Sequence, residues 1–326
     1  MPEQRMTLAE FDPGRCGPGT TRILARAVDD PVADLPIVAV VGRHPGPVFI
    51  AVAGVHGDEY EGPQALWRAI ADLRPDEMHG TLVAMPICNP WAAAAGIRET
   101  PEAIDGVNLA RTFPGDADGT PTQRLAAALL ACIVRLRPAL FLDLHSGSTR
   151  ARYHPVVGVR RRLGDEARSR AAARAFGLST LWELKDHRGT FNAETARLGI
   201  PTVGVEMTGA GGALEADIAA DHAGVLNLLR WLRVLRDRPA PEIEGPFRRI
   251  TELNAPADGF AQPVHELGDE VTSGEPLVRV LTQFGDTAAV VAAPHAGTVW
   301  VMRHLRTVRA GELICAVAAR GEPEAG

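Results

Sequence analysis

Apolar positions in the first two thirds of the chain fall into short runs that alternate with longer, helix-like stretches. Ile37–Val41, Val48–Ala53, Thr81–Pro86, Leu140–Leu144 and Thr202–Glu206 read as strands, several of them almost continuously apolar, as strands buried on both faces must be. Glu61–Leu73, Thr122–Leu136, Asp165–Phe176, Phe191–Leu198 and Ile218–Arg236 read as helices. The alternation predicts an α/β fold, a mixed sheet flanked by helices. In such sheets functional side chains gather in loops at the strand ends.

The pattern changes near Asp237. Arg238-Pro239-Ala240-Pro241 reads as a linker, and Glu244-Gly245-Pro246 punctuates the chain again. Two domains follow: residues 1–240, and a small all-β domain over 241–326. The second contains a weak repeat, Gly259…Val271…Gly274-Glu275…Leu277 against Gly297…Val308…Gly311-Glu312-Leu313. Two such units around a pseudo-dyad predict a small sandwich or barrel, similar to lipoyl- or biotinyl-type domains. Those domains modify a lysine at a hairpin tip, whereas the chain's one lysine is Lys185. The region therefore reads as structural or substrate-gating rather than as a carrier.

Composition narrows the function. With 46% apolar and 23% charged residues, the chain has the make-up of a globular protein and not of a disordered one. A net charge of −6 supplies no basic field for nucleic acid or an anionic membrane. Cys16, Cys88, Cys132 and Cys315 have neither zinc-knuckle nor redox spacing. The polar N-terminus and the lack of an apolar run of about 20 residues lead to the expectation of a cytoplasmic protein. A homo-oligomer is neither required nor excluded.

The chemistry concentrates in Gly54-Val55-His56-Gly57-Asp58-Glu59-Tyr60-Glu61-Gly62, directly after a predicted strand. His56 and Glu59 are three residues apart, so one helical turn would aim both at one point. Imidazole and carboxylate are zinc ligands, and a catalytic zinc takes three protein ligands and leaves a position open. His145, at the end of the strand in Phe141-Leu142-Asp143-Leu144-His145-Ser146-Gly147, is the third candidate. Asp143 shares its face and reads as the carboxylate that orients a ligand histidine. His79, His187, His222 and His304 lack such a frame.

Four ordered blocks carry a resemblance: His56-Gly57-Asp58-Glu59, Asp105-Gly106-Val107-Asn108-Leu109-Ala110-Arg111 with Phe113-Pro114-Gly115, Asp143-Leu144-His145-Ser146-Gly147, and Gly204-Val205-Glu206. Together they resemble the succinylglutamate desuccinylase/aspartoacylase family, which has a zinc carboxypeptidase-like fold. The resemblance implies one zinc ion per chain on His56, Glu59 and His145, with Glu206 as general base. It also implies Arg98 as the group that polarises the scissile carbonyl, and Arg111 with Asn108 on the substrate. The chain departs from the family at Ala110, where the usual residue is an Asn that helps bind a carboxylate. Either another group substitutes, or the substrate differs from a simple acylated amino acid.

The implied activity is hydrolysis of an amide bond in a small N-acyl compound. The Gly-Asp-Glu-Tyr-Glu-Gly form and the stretch Pro114–Gln123 look like the family's N-acetyl-diaminobutyrate deacetylases. Arg150 and Arg152, just past the third ligand, read equally well as acyl-group contacts or as solvated charges. A peptide-cleaving metallocarboxypeptidase and a non-catalytic binding protein on this scaffold are the alternatives.

Overall fold

The computed structural model describes residues 3–30 and 33–320. In its first part the strands are β1 (Gln4–Thr7), β2 (Gly19–Arg26), β3 (Leu35–Val41), β4 (His44–Val52), β5 (His79–Met85), β6 (Leu140–Ser146), β7 (Ala151–Tyr153), β8 (Val156–Arg160), β9 (Leu181–Leu184) and β10 (Thr202–Met207). The helices are α1 (Glu61–Asp72), α2 (Pro90–Ala95), α3 (Pro121–Leu136), α4 (Glu166–Phe176), α5 (Phe191–Arg197) and α6 (Glu215–Trp231). All of these strands except β7 form one mixed sheet in the order β1-β2-β3-β5-β4-β6-β10-β8-β9. At its centre β5, β4, β6 and β10 are parallel neighbours.

The apolar runs are explained by helices on both faces. In β4, Phe49 and Ala51 point into the core shared with Leu66 of α1, Phe176 of α4 and Leu228 of α6. Ile50 and Val52 point into the opposite core, with Leu125, Leu129 and Ile133 of α3 and with Phe191. Each predicted strand and helix has a counterpart. The largest boundary difference is in α6, which begins three residues earlier and ends five earlier than its periodicity suggests. Arg233 turns left-handed (φ 62°), and the Val234 amide folds back onto the Leu229 carbonyl at 2.9 Å, so the helix cannot continue.

The C-terminal part holds β11 (Ile250–Asn254), β12 (Gly259–Pro263), β13 (Glu270–Val271), β14 (Pro276–Leu281), β15 (Thr287–Ala292), β16 (Gly297–Arg303), β17 (Thr307–Val308) and β18 (Leu313–Ala319). They form two sheets, β11-β18-β16-β13 and β15-β14-β12-β17. The weak repeat has a structural meaning. Each copy is a long strand, a two-residue strand and a long strand, and the short strands are exchanged: β13 pairs with β16, and β17 with β12. Val271, Leu277 and Val280 from one copy share a core with Val299, Val308 and Ile314 from the other. β7 leaves the large sheet and pairs with β16, Tyr153 opposite Val301. Ile250, Trp300 and Val301 pack with Val156 of β8. The β unit is thereby fastened beside the ends of β6, β8 and β10. No helix among the described residues is long and apolar enough to cross a membrane.

The α1–α6 contact buries an acid. Asp221 is fully buried, and neither carboxylate oxygen has a hydrogen-bond partner among the described residues. Burial, reinforced by Glu61, Asp217 and Glu206, holds its pKa well above the usual aspartate range. The folded state thus binds a proton that the unfolded chain releases near pH 4, and stability falls as pH rises past that point. Asp221→Asn is expected to stabilise the protein by about 1–3 kcal/mol at neutral pH. Denaturant unfolding at several pH values should show the gain shrinking as pH falls toward 4.

Candidate active site

The sheet order brings the sequence blocks together. β4, β6 and β10 are adjacent and parallel, so the loop after β4 and the ends of β6 and β10 meet at one edge. Glu206 lies in register with His145. His56 and Glu59 sit in the loop ahead of α1, which begins at Glu61, and not on a helical turn as their spacing suggests. Tertiary contacts fix that loop instead. The Gly57 amide donates to the Ile97 carbonyl (3.0 Å). Asp58 Oδ2 accepts from Ser148 Oγ (2.7 Å), Thr149 Oγ1 (2.8 Å) and the Thr149 amide (3.0 Å). Gly62 lets the start of α1 press against the sheet, since a Cβ there would stand 2.8 Å from that of Leu144.

His56, Glu59 and His145 converge, with one ligand atom from each within 4.8 Å of the others. Glu59, 4% exposed, accepts from Arg98 Nη1 through Oε1 (2.9 Å) and from the Ser146 amide through Oε2 (3.2 Å), while His145 Nδ1 lies 3.0 Å from Oε2. On its other side His145 Nε2 is 3.0 Å from Asp143 Oδ1. That is an ion-pair contact, off the line of a directed hydrogen bond, because both Asp143 oxygens lack a hydrogen-bond partner among the described residues. Burial pushes the His145 pKa down, but Asp143 and Glu59 outweigh it and leave it well above the ordinary value. His56 goes the other way, held well below by burial and then by Arg98 and His145.

This arrangement fits a metal ion. The donors are two imidazoles and a carboxylate, the set that suits a catalytic zinc. A proton on His145 now answers the two flanking carboxylates, and a cation between His145 and Glu59 would serve them in its place. Asp143 would then hold the other ring nitrogen, as carboxylates beside ligand histidines do.

The cluster opens into a cavity of about 430 Å³. His56, His145, Arg98, Arg111 and Glu206 all line it. Burial raises the Glu206 pKa to about 8, with Glu59 and Asp143 adding to the rise and His145 and Arg98 opposing it. The Arg98 guanidinium is lowered by burial, yet Glu59, Glu206 and Asp58 together leave it above its ordinary value. Asn108 does not line the cavity. Its Oδ1 caps the short turn before Arg111, accepting from the Ala110 amide at 2.9 Å. Asp105 is likewise structural, bound to the Thr122 amide (2.8 Å) and hydroxyl (2.7 Å) at the start of α3. Arg150 lines the cavity but is paired with Glu99 at 2.8 Å, and Arg152 faces Glu266 at 3.6 Å.

Several lining residues carry no sequence signal. Tyr153, Arg160, Lys185, His187 and Asn192 reach the cavity from β7, β8 and the β9–α5 segment, and Glu252 and Glu312 reach it from the β unit. Tyr153 was the most detectable, since the chain has two tyrosines and this one adjoins the arginines after the third ligand. Its pKa is raised by burial and by Glu206.

Parallel strands thus end beneath a His/Glu/His cluster that could hold a metal ion, with the half-buried Glu206 in the same cavity. The profile of the succinylglutamate desuccinylase/aspartoacylase catalytic domain matches residues 45–232, and the chain belongs to that family. It is 31% identical over 298 residues to the N-alpha-acetyl-L-2,4-diaminobutyric acid deacetylase of Halomonas elongata, covering 86% of this chain and 84% of that one. Among solved structures, a succinylglutamate desuccinylase/aspartoacylase from Rhodobacter sphaeroides is similar with a TM-score of 0.85, at 27% identity over 96% of this chain and 98% of that one. The product-bound ectoine utilization protein EutE (DoeB) from Ruegeria pomeroyi is similar with a TM-score of 0.81, at 26% identity over 87% and 89%.

The loop geometry is directly testable at Gly57, where a Cβ would stand 2.0 Å from the Ala92 carbonyl carbon. Gly57→Ala is expected to cost about 1–3 kcal/mol as the backbone gives way. It should also lower turnover, because His56 and Glu59 flank the shifted residue. Denaturant midpoints and initial rates on the same preparation check both.

Proposed function

We propose that the protein is a zinc-dependent deacylase that hydrolyses the amide of a small N-acyl amino acid, with N-acetyl-2,4-diaminobutyrate as the preferred substrate. The observation that carries this reading is Glu206, half-buried and in register with His145, beside the His56/Glu59/His145 cluster in a cavity of about 430 Å³. The deacetylase likeness over most of both chains supports the choice of acyl group and amine. The cavity volume favours a single amino acid over a peptide, and Ile250, Glu252, Glu312 and Leu313 of the β unit form part of its wall.

A bound zinc would act as a Lewis acid toward the scissile carbonyl and make water acidic enough to lose a proton near neutral pH. Glu206 takes that proton and later delivers it to the departing amine. Burial raises the Glu206 pKa, a bound cation beside it would bring it back down toward neutrality, and a carboxylate in that range suits both transfers. Arg98, anchored by its bond to Glu59, turns a fixed positive charge toward the oxygen where negative charge develops. Arg111 binds the substrate carboxylate. Asp143 holds His145 in the orientation that Glu59 also requires.

Two measurements test the reading. The parent is expected to carry about one zinc per chain and to release acetate from N-acetyl-2,4-diaminobutyrate. His145→Ala should lose both, whereas Glu206→Gln should keep the metal and lose about a hundred- to ten-thousand-fold in kcat. A Glu206→Gln enzyme with parental turnover would remove Glu206 as the base. Asp143→Asn should weaken zinc binding by about ten- to a hundredfold in chelator competition.

A further inference from the structure

Six arginines line the cavity, and their charges are not equally answered. Arg98, Arg150, Arg249 and Arg303 each have a carboxylate partner, Glu59, Glu99, Glu183 and Glu312 respectively. Arg111 and Arg160 have no ion-pair partner among the described residues. Among the described residues the Arg111 guanidinium bonds the neighbouring Ala110 carbonyl, at 2.9 Å. Arg160 is 9% exposed; Asp143 and Glu206 act on its charge from beyond ion-pair distance, and a buried guanidinium with no carboxylate in contact is costly unless something anionic joins it.

Arg160 is also held in position. Nε donates to Asn192 Oδ1 at 2.9 Å, Nη1 to the Lys185 carbonyl at 2.6 Å, and Nη2 to Thr190 Oγ1 at 3.2 Å. A guanidinium has five N–H groups, so one remains on each terminal nitrogen, enough for a two-point contact with a carboxylate. The sheet makes room for this assembly. Asp143, Gly204 and Gly158 form one row across β6, β10 and β8, and the last two present no side chain. A Cβ on Gly204 would stand 3.0 Å from Asn192 Nδ2, so the glycine of Gly204-Val205-Glu206 leaves space for the amide that orients Arg160. Burial pulls the Arg160 pKa down to about 10; Asp143 opposes that fall, and Arg111 is close enough to add to it.

We propose that Arg160 is a carboxylate-binding residue which, with Arg111, holds the carboxylate of the N-acyl amino acid and supplies the contact that Ala110 cannot make. This rests on the reading of the site as a deacylase centre for N-acyl amino acids and adds a second arginine to its carboxylate contact. It also accounts for the departure at Ala110, since a side chain from β8 takes over the role of the missing amide.

The test separates charge recognition from structural support. The full-length parent, Arg160→Gln and Arg160→Lys are titrated calorimetrically with 2,4-diaminobutyrate and with its carboxamide, and with succinate and succinamide as probes independent of the substrate. N-Acetyl-2,4-diaminobutyrate and its carboxamide are assayed in parallel. The parent is expected to prefer each carboxylate by about ten- to a hundredfold, the scale of a charge-assisted hydrogen bond. Arg160→Gln should erase that ratio, with the loss in KM rather than kcat, and Arg160→Lys should restore part of it. A merely supporting role would weaken carboxylate and carboxamide alike and leave the ratio intact, which would overturn the proposal. Parental preference retained in Arg160→Gln would overturn it too. A parent that prefers carboxylates yet cleaves no N-acyl amino acid would sink the deacylase reading and leave the carboxylate subsite standing. A parent that cleaves acid and carboxamide equally well would do the reverse.

Discussion

Two adjacent carboxylates buried in one loop, Asp58 and Glu59, must find donors, and the organisation of the site follows from how they do so. Both are almost fully buried, 2% and 4% exposed, where an unanswered charge costs far more than it does in water. Asp58 takes its donors from Ser148 and Thr149, and Glu59 takes Arg98, His145 and the Ser146 amide. Segments far apart in the chain are thereby drawn to one point. His56 arrives at the same place because it belongs to the same loop. A metal ion placed between His145 and Glu59 would relieve the same electrostatic demand that assembles the pocket.

The cavity is charged opposite to the chain as a whole. The net charge is −6, yet six arginines and Lys185 line the cavity, against Glu183, Glu206, Glu252 and Glu312. Four of the arginines are paired with carboxylates, so among the described residues Arg111, Arg160 and Lys185 are the lining cations without an ion-pair partner. Low-dielectric walls concentrate such a field, and under the proposed function it would favour a small anionic substrate. The β unit supplies part of the cavity wall through Ile250, Glu252, Glu312 and Leu313. β7 adds a strand from the catalytic region to its sheet, and Tyr153 is carried into the cavity on that strand.

The strand-and-helix alternation of the first two thirds was readable because strands buried on both faces need long apolar runs. β8 and β9 were not, since Val156–Arg160 and Leu181–Leu184 are too short to show a period. The His56, Glu59 and His145 grouping was legible from residue type and from position after apolar strands. The helical turn inferred for the first two was not what brings them together. Three-residue spacing suits a helix and a tight loop equally, and only the contacts of Gly57 and Asp58 distinguish them. Asn108 shows the reverse case, a residue within a recognisable block whose side chain caps a turn outside the cavity.

The sequence by itself determined the fold class, the order of the blocks and the donor types, because hydrophobic periodicity and side-chain chemistry are local properties. It also exposed the gap at Ala110. Only the tertiary structure placed Arg160 in the same cavity as Ala110. Arg160 is an unremarkable arginine at the end of a short strand until β8 lies antiparallel to β10 and Gly204 leaves room for Asn192. Whether a charge is paired or left facing a cavity depends on residues tens of positions away, and no local pattern along the chain encodes that.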